Sequence, residues 1–162
     1  MNKYVCFTGH RPSHFPFRFC QKNNEYVKLK AKIKETILGL IDKGYTNFIS
    51  GMALGADTLC AEIVLELKEF FDIKLKCLLP CKNQERLWSK KDRMKYQSIL
   101  QNCDEVCYAV DGNYVTGCMH LRNKMMIDAS DILIAVFYGH NGGTQRTMDY
   151  ARQTNKTIII VN

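Results

Sequence analysis

The feature that most constrains this chain is an alternation. Six short, β-favouring apolar runs, at residues 3–8, 47–50, 73–79, 105–110, 132–137 and 157–161, are each separated from the next by a stretch with helical periodicity. The helical stretches cover residues 24–43, 57–71, 84–100, 116–129 and 144–153. In the first of them Tyr26, Leu29, Ile33, Ile37, Leu40 and Ile41 recur at three- and four-residue spacing, which aligns them on one face of a helix. Gly44 follows where a helix commonly ends in a left-handed residue. No two apolar runs are joined by a hairpin signal, so successive strands must be connected by helical crossovers. Crossovers of that kind make neighbouring strands parallel and bury both faces of the sheet. Their right-handedness leaves the doubly wound arrangement as the default. The expected fold is α/β: one Rossmann-like, three-layer domain spanning residues 1–162, with a mostly parallel sheet of about six strands and helices on both faces.

The 162-residue length suits one domain that buries its core without staples. Hydrophobic residues make up 46% and charged residues 24%, values that exclude a disordered chain. Eight cysteines would suggest disulfides in a secreted protein, but most lie in apolar runs such as Tyr4-Val5-Cys6-Phe7 and Lys76-Cys77-Leu78-Leu79. There they act as small hydrophobes. Met1-Asn2-Lys3 leads straight into the first strand-like run with no secretory leader, and no apolar stretch is long enough to span a membrane. The expectation is a cytoplasmic protein with free thiols. Cys77-x-x-x-Cys81 and Cys103-x-x-x-Cys107 have tolerable zinc spacing, yet Cys77 and Cys107 fall inside strands where packing explains them, so no metal is expected.

The net charge of +7 favours anionic partners. Its densest stretch is residues 82–95, where Lys82, Arg86, Lys90, Lys91, Arg93 and Lys95 outnumber Glu85 and Asp92. A solvated helix face explains such a run as well as a binding surface does.

In an open parallel sheet, ligands bind outside the carboxyl ends of the strands. Three segments stand out there. The first run leads into Thr8-Gly9-His10-Arg11-Pro12, where glycine permits a sharp turn and Arg11 offers a planar fork suited to phosphate. A plain turn with a surface arginine is the alternative. The second leads into Ser50-Gly51-Met52-Ala53-Leu54-Gly55-Ala56-Asp57 and then a helix, whose first N–H groups and dipole favour an anion. Asp57 is a helix cap or an acceptor for ribose hydroxyls. The spacing is neither G-x-G-x-x-G nor a P-loop. The fifth leads into Tyr138-Gly139-His140-Asn141-Gly142-Gly143-Thr144, three glycines in five residues before a helix. Each glycine costs backbone entropy, which points to phosphate binding. On the preceding helix, Cys118, Arg122, Met125 and Ala129 share a stripe, and an arginine in an apolar stripe needs either a ligand anion or a structural salt bridge.

These segments, in this order, resemble the SLOG superfamily, which includes the LOG phosphoribohydrolases, the DNA-processing protein DprA and the YpsA-like proteins. The YpsA-like branch is the best match, carried by Thr8-Gly9-His10-Arg11, by Ser50-Gly51 with Leu54-Gly55-Ala56-Asp57, by Gln84, Trp88, Asp92, Arg93 and Tyr96 on a middle helix, and by Gly142-Gly143-Thr144. The resemblance implies an uncharacterised type of bacterial or phage protein that binds a nucleotide-type ligand and requires no further cofactor. It also implies pairing through helices, as a homodimer. LOG enzymes cleave a nucleotide N-glycosidic bond with an arginine in Met-His-x-Arg-Lys and a glutamate in Gly-Gly-x-Gly-Thr-x-x-Glu. Here Met119-His120-Leu121-Arg122 keeps the arginine, Asn123 replaces the lysine, and Thr147 stands where the glutamate would be. Asp149 comes two residues later and should point elsewhere on the helix.

The sequence therefore leads to a protein that binds or senses a nucleotide or nucleotide-derived ligand, such as ADP-ribose, NAD or a nucleoside phosphate. The expected ligand-binding residues are Thr8, Gly9, His10, Arg11, Ser50, Gly51, Gly55, Ala56, Asp57, Arg122, Asn123, Gly139, Gly142, Gly143 and Thr144. The alternative is a nucleotide N-glycosidase, with Arg122 and Asp57 as the candidate catalytic residues. A further alternative is DprA-like nucleic-acid binding.

Overall fold

A computed structural model describes residues 3–162; Met1 and Asn2, on which the reading of the amino terminus rests, lie outside the described residues. Six strands, β1 (Tyr4–Gly9), β2 (Asn47–Ser50), β3 (Lys74–Leu79), β4 (Glu105–Tyr108), β5 (Ile132–Val136) and β6 (Thr157–Val161), form one sheet in the order β4-β3-β2-β1-β5-β6. Every pairing is parallel, so the sheet is wholly rather than mostly parallel. The chain builds outward from β1 to β4, returns across the sheet, and lays β5 and β6 on the other side of β1. The order therefore reverses between β1 and β5, and a crevice opens at the carboxyl ends of those two strands.

The strand side chains alternate between two cores, as the pleat requires. Val5, Phe7, Phe48, Leu75, Cys77, Ile132 and Ile134 join one core with α1 (Asn24–Asp42), α2 (Ala56–Lys68) and α3 (Lys90–Asn102). Cys6, Ile49, Leu78, Leu133 and Ala135 join the other with α4 (Cys118–Asp128) and α5 (Gly143–Gln153). Cys77 and Cys107 consequently pack against opposite cores, while Cys77 lies beside Cys103. All eight cysteines are free thiols.

Local chemistry sets the helix ends. Asn23 caps α1 by accepting the N–H groups of Glu25 at 2.8 Å and Tyr26 at 3.4 Å, and Gly44, at φ +85°, closes it by donating to the Ile41 carbonyl. One helix differs from the sequence reading. The segment from Gln84 to Trp88 is a series of turns, and α3 begins at Lys90 after the Ser89 cap, whose hydroxyl accepts the Asp92 N–H. The Ser-x-x-Asp start outweighed the apolar periodicity upstream of it. Trp88 and Gln84 still reach the helix from this turn: Trp88 packs edge-on against Tyr96, with ring centroids 5.2 Å apart, and Gln84 donates to the Tyr96 hydroxyl at 3.2 Å. Among the described residues no helix is long and apolar enough to cross a membrane.

Candidate functional site

At the carboxyl ends of β1 and β5 lies a pocket of about 200 Å³, formed where the first, second and fifth strand-to-helix turns meet α4. Ten of the residues nominated from sequence line it: Thr8, Gly9, His10, Arg11, Asp57, Arg122, Asn123, Gly142, Gly143 and Thr144. Ser50, Gly51, Gly55, Ala56 and Gly139 do not. A larger open groove of about 810 Å³ runs along α1, α2 and α3, but its lysines are all in ion pairs, Lys30 with Glu66, Lys95 with Glu62 and Lys68 with Asp104.

The five absentees divide by cause. Ser50 is fully buried; its hydroxyl donates to the Asp57 carbonyl at 2.9 Å and accepts the Met52 N–H, so it ties the second turn to its helix. Gly51 exists for Arg122. A Cβ on Gly51 would sit 2.4 Å from the guanidinium, which donates an Nη1 hydrogen bond to the Gly51 carbonyl. Gly55, at φ +106°, leaves room for the first turn: its Cβ would lie 2.5 Å from the His10 carbonyl oxygen. That oxygen accepts the Ala56 N–H at 3.1 Å, so the amino end of α2 is plugged by the protein's own backbone. The second turn is thus not the anion cradle that its glycines suggested. Gly139, at φ +88°, lies beyond the pocket lining in open space.

The amino end of α5 is different. No Cβ on Gly143 would meet anything within 4 Å, and one on Gly142 would meet only the far edge of the His140 ring at 3.9 Å. Among the described residues the N–H groups of Gly143, Thr144 and Gln145 have no protein acceptor. Those unpaired donors and the helix dipole point at the pocket.

Arg122 faces the same space and is 3% exposed. It makes no ion pair among the described residues; its charge is held by neutral acceptors, the Gly51 carbonyl and, through Nε, the Asn123 side-chain oxygen at 2.7 Å. The Gly51 carbonyl also accepts from Gln84 at 3.2 Å. Arg122 therefore has no direct salt bridge among the described residues, and the nearby buried Asp57 carboxylate offsets its charge only across space. Burial lowers its pKa, opposed mainly by Asp57. The stripe itself runs Cys118, Arg122, Met126; Met125 is only half-buried and Ala129 lies exposed just past the helix.

Asp57, 6% exposed, accepts the Ala53 N–H at 3.3 Å and so braces the turn rather than capping the helix forward. Burial raises its pKa, against the pull of Arg122, the Ala53 N–H and Arg11. It is the carboxylate among the pocket-lining residues. Thr147 is buried and donates to the Gly143 carbonyl at 2.8 Å, within the helix, while Asp149 pairs with Arg152 at 2.8 Å on the exposed face; neither lines the pocket.

Sequence reasoning missed four lining residues: His14, Ala53, Met119 and His140. Ala53, Met119 and His140 sat inside motifs already singled out, and His14 lay four residues after His10. His10 itself is 2% exposed, and its Nε2 accepts the Tyr138 N–H at 2.9 Å, which latches the first turn to the fifth. The neutral ring then carries its proton on Nδ1. Burial, with His140 and His14 nearby, lowers its pKa. The His14 and His140 rings lie 4.3 Å apart, tilted by 34°, and both residues are exposed.

A sequence model of the YspA SLOG family matches residues 5–161. The SPbeta prophage-derived protein YoqJ of Bacillus subtilis is 34% identical over 146 residues, which cover 82% of this chain and 85% of that one. A UPF0398 protein of Bacillus pumilus is 26% identical over 148 residues, covering 90% and 79%. Among solved structures, DNA processing protein A from Helicobacter pylori, described for its single-stranded DNA binding mode, aligns with a TM-score of 0.69 at 21% identity, over 98% of this chain and 64% of that one. DNA processing protein A from Streptococcus pneumoniae aligns at 0.68 and 14% identity, over 98% and 50%. The chain thus spans under two thirds of either solved structure, and at these identities the likeness is one of fold.

Proposed function

The chain belongs to the YspA SLOG family, and from that premise we propose that its pocket binds the phosphate end of a nucleotide or nucleotide-derived ligand, without strong catalysis. One observation carries the reading: a buried, unpaired Arg122 and the open amino end of α5 line the same small cavity. A buried cation that no carboxylate contacts directly is costly, and a bound phosphate oxygen would offset that cost through charge-assisted hydrogen bonds. Arg11, exposed at the rim and in no ion pair among the described residues, adds a second guanidinium. Thr8 and Thr144 supply hydroxyls.

Turnover is not favoured. An N-glycosidase needs a carboxylate placed to stabilise a cationic transition state or activate water. Thr147 has no such group, and Asp57 is already engaged by the Ala53 N–H. Isothermal titration with AMP, NAD, ADP-ribose and cyclic dinucleotides tests binding, and chromatography of the same mixtures tests cleavage. Heat with at least one ligand and no free base is the expected pair of results; silence with all of them removes the proposal.

A second reading, nucleic-acid binding, draws on the DNA processing protein A neighbours and on Lys90, Lys91 and Arg93, which stand exposed on α3 without ion pairs among the described residues. The rest of that basic stretch is partly spent: Lys82 pairs with Asp111, Lys95 with Glu62, and Arg86 stacks on Tyr114. Fluorescence anisotropy with single-stranded DNA across a salt series decides it. Phosphate-driven binding must weaken steeply as salt rises.

A further inference from the structure

We propose that His14 and His140 form a stacking platform for the base of the bound ligand, so that the site selects a 5′-phosphorylated nucleoside over a bare sugar phosphate. The inference rests on the phosphate-binding reading of the same pocket and goes beyond it to the ligand's other end.

Size is the first argument. Sites that enclose a whole small organic ligand run to roughly 300–1,000 Å³. This pocket, at about 200 Å³, holds a phosphate and part of a sugar. Whatever the phosphate is attached to must leave through the mouth. The second argument is what lies at the mouth. His14, from the short turn Pro12–His14, and His140, from the glycine-flanked fifth turn, both line the pocket while remaining exposed. Their ring centroids are 4.3 Å apart, so the two rings present one paired aromatic surface. No ring fits between them at that spacing, so a base stacks on an outer face. The third argument is support from below. His10 sits under both, with its ring centroid 6.4 Å from that of His14 and 6.0 Å from that of His140. It is locked by the Tyr138 N–H and packed against Phe15 and Phe137. Side chains of this kind accept unstacked bases of any identity, because every base has a π-face.

The platform fits a free nucleotide and the 5′-phosphorylated end of a strand equally well. The test titrates wild type with inorganic phosphate, ribose 5-phosphate, the four ribonucleoside 5′-monophosphates and a 5′-phosphorylated trinucleotide. Wild type should bind at least one monophosphate roughly 5- to 150-fold more tightly than ribose 5-phosphate, the range expected for a stacked base. In His14→Ala/His140→Ala that preference should collapse to under about twofold. His14→Phe/His140→Phe should keep the preference, since a phenyl ring stacks without a proton or a nitrogen. Both residues are exposed, and an unchanged melting temperature confirms that the variants fold. Equal wild-type affinity for ribose 5-phosphate and the monophosphates overturns the platform, as does a preference that survives the double alanine or is lost in the double phenylalanine. Those results would leave the phosphate pocket standing; absence of binding by every ligand, inorganic phosphate included, removes pocket and platform together. A trinucleotide that binds as tightly as the monophosphate assigns the platform to strand ends, and one that is excluded assigns it to free nucleotides.

Discussion

The second and fifth strand-to-helix turns look alike in sequence and do opposite things. Each is glycine-rich and each opens a helix. At the second turn the space left by glycine is filled by protein: the Arg122 guanidinium against Gly51, and the His10 carbonyl against Gly55. Met52, between them, is fully buried in a left-handed conformation at φ +58°. At the fifth turn the space around Gly142 and Gly143 is open. The first is a joint that aims an arginine; the second is a cradle for whatever that arginine meets. Glycine announces that something approaches the backbone closely, without saying whether it is the chain itself or a ligand.

Substitutions at the two turns should separate these roles, and the largest effect belongs to the joint. Gly55→Ala places a Cβ against the His10 carbonyl at a backbone angle that disfavours any side chain. Thermal unfolding should register a loss of roughly 3 kcal/mol or more, a fall in Tm of about 6–12 °C. A change of less than about 1 kcal/mol would mean that the second turn is as open as the fifth. Gly143→Ala is the counterpart: stability within about 0.5 kcal/mol of wild type, because nothing crowds the site and alanine suits a helix better. Its phosphate affinity should nevertheless drop, which titration reads.

Next comes the arginine that connects the turns. Arg122→Met should weaken phosphate-ligand binding by about 10-fold or more, consistent with charge-assisted hydrogen bonds worth roughly 1.5–3 kcal/mol. Its stability should fall modestly, since the buried Asp57 carboxylate loses the cation that offsets its burial. Asn123→Asp sharpens the same point. The side chain keeps its shape and its bond to Arg122 Nε, but a carboxylate now neutralises the guanidinium. Binding should fall several-fold with little change in Tm; undiminished affinity would show that Arg122's charge is not what the ligand meets.

The smallest effect concerns the latch between the first and fifth turns. The folded-state pKa of His10 lies below its ordinary 6.5, mainly through burial. Neutral His10 therefore contributes stability that is complete above about pH 6.5 and is lost as pH falls from there through the depressed folded value. Wild type should lose more stability than His10→Gln on acidification below pH 6.5, because glutamine accepts the Tyr138 N–H without titrating. Denaturant melts of both proteins at a series of pH values provide the comparison. Equal slopes would show that the latch does not bear on the fifth turn.

Much of this architecture was legible before any coordinates. Among the described residues the alternation of periods located the six strands and the five α-helices, because period 2 and period 3.6 are written in consecutive residues. Its largest misplacement is the start of α3, where Ser89 and Asp92 set a boundary that upstream periodicity obscured. Ten of the fifteen nominated site residues line the pocket, since strand ends in a parallel sheet are ordered by the topology. His14 and His140 were overlooked because nothing local distinguishes an exposed histidine in a turn from one that meets a partner more than a hundred residues away.

Short-range physics thus identified the elements, the parallel sheet and the end of it where chemistry would gather, because each follows from spacing along the chain. Which glycines open to solvent and which are filled, that Arg122 rests on carbonyls instead of a carboxylate, and that two imidazoles meet at the mouth are long-range facts. They depend on how α4 crosses back over the sheet and on how the first turn closes over the second, and no local pattern encodes the distance between groups that the fold alone brings together.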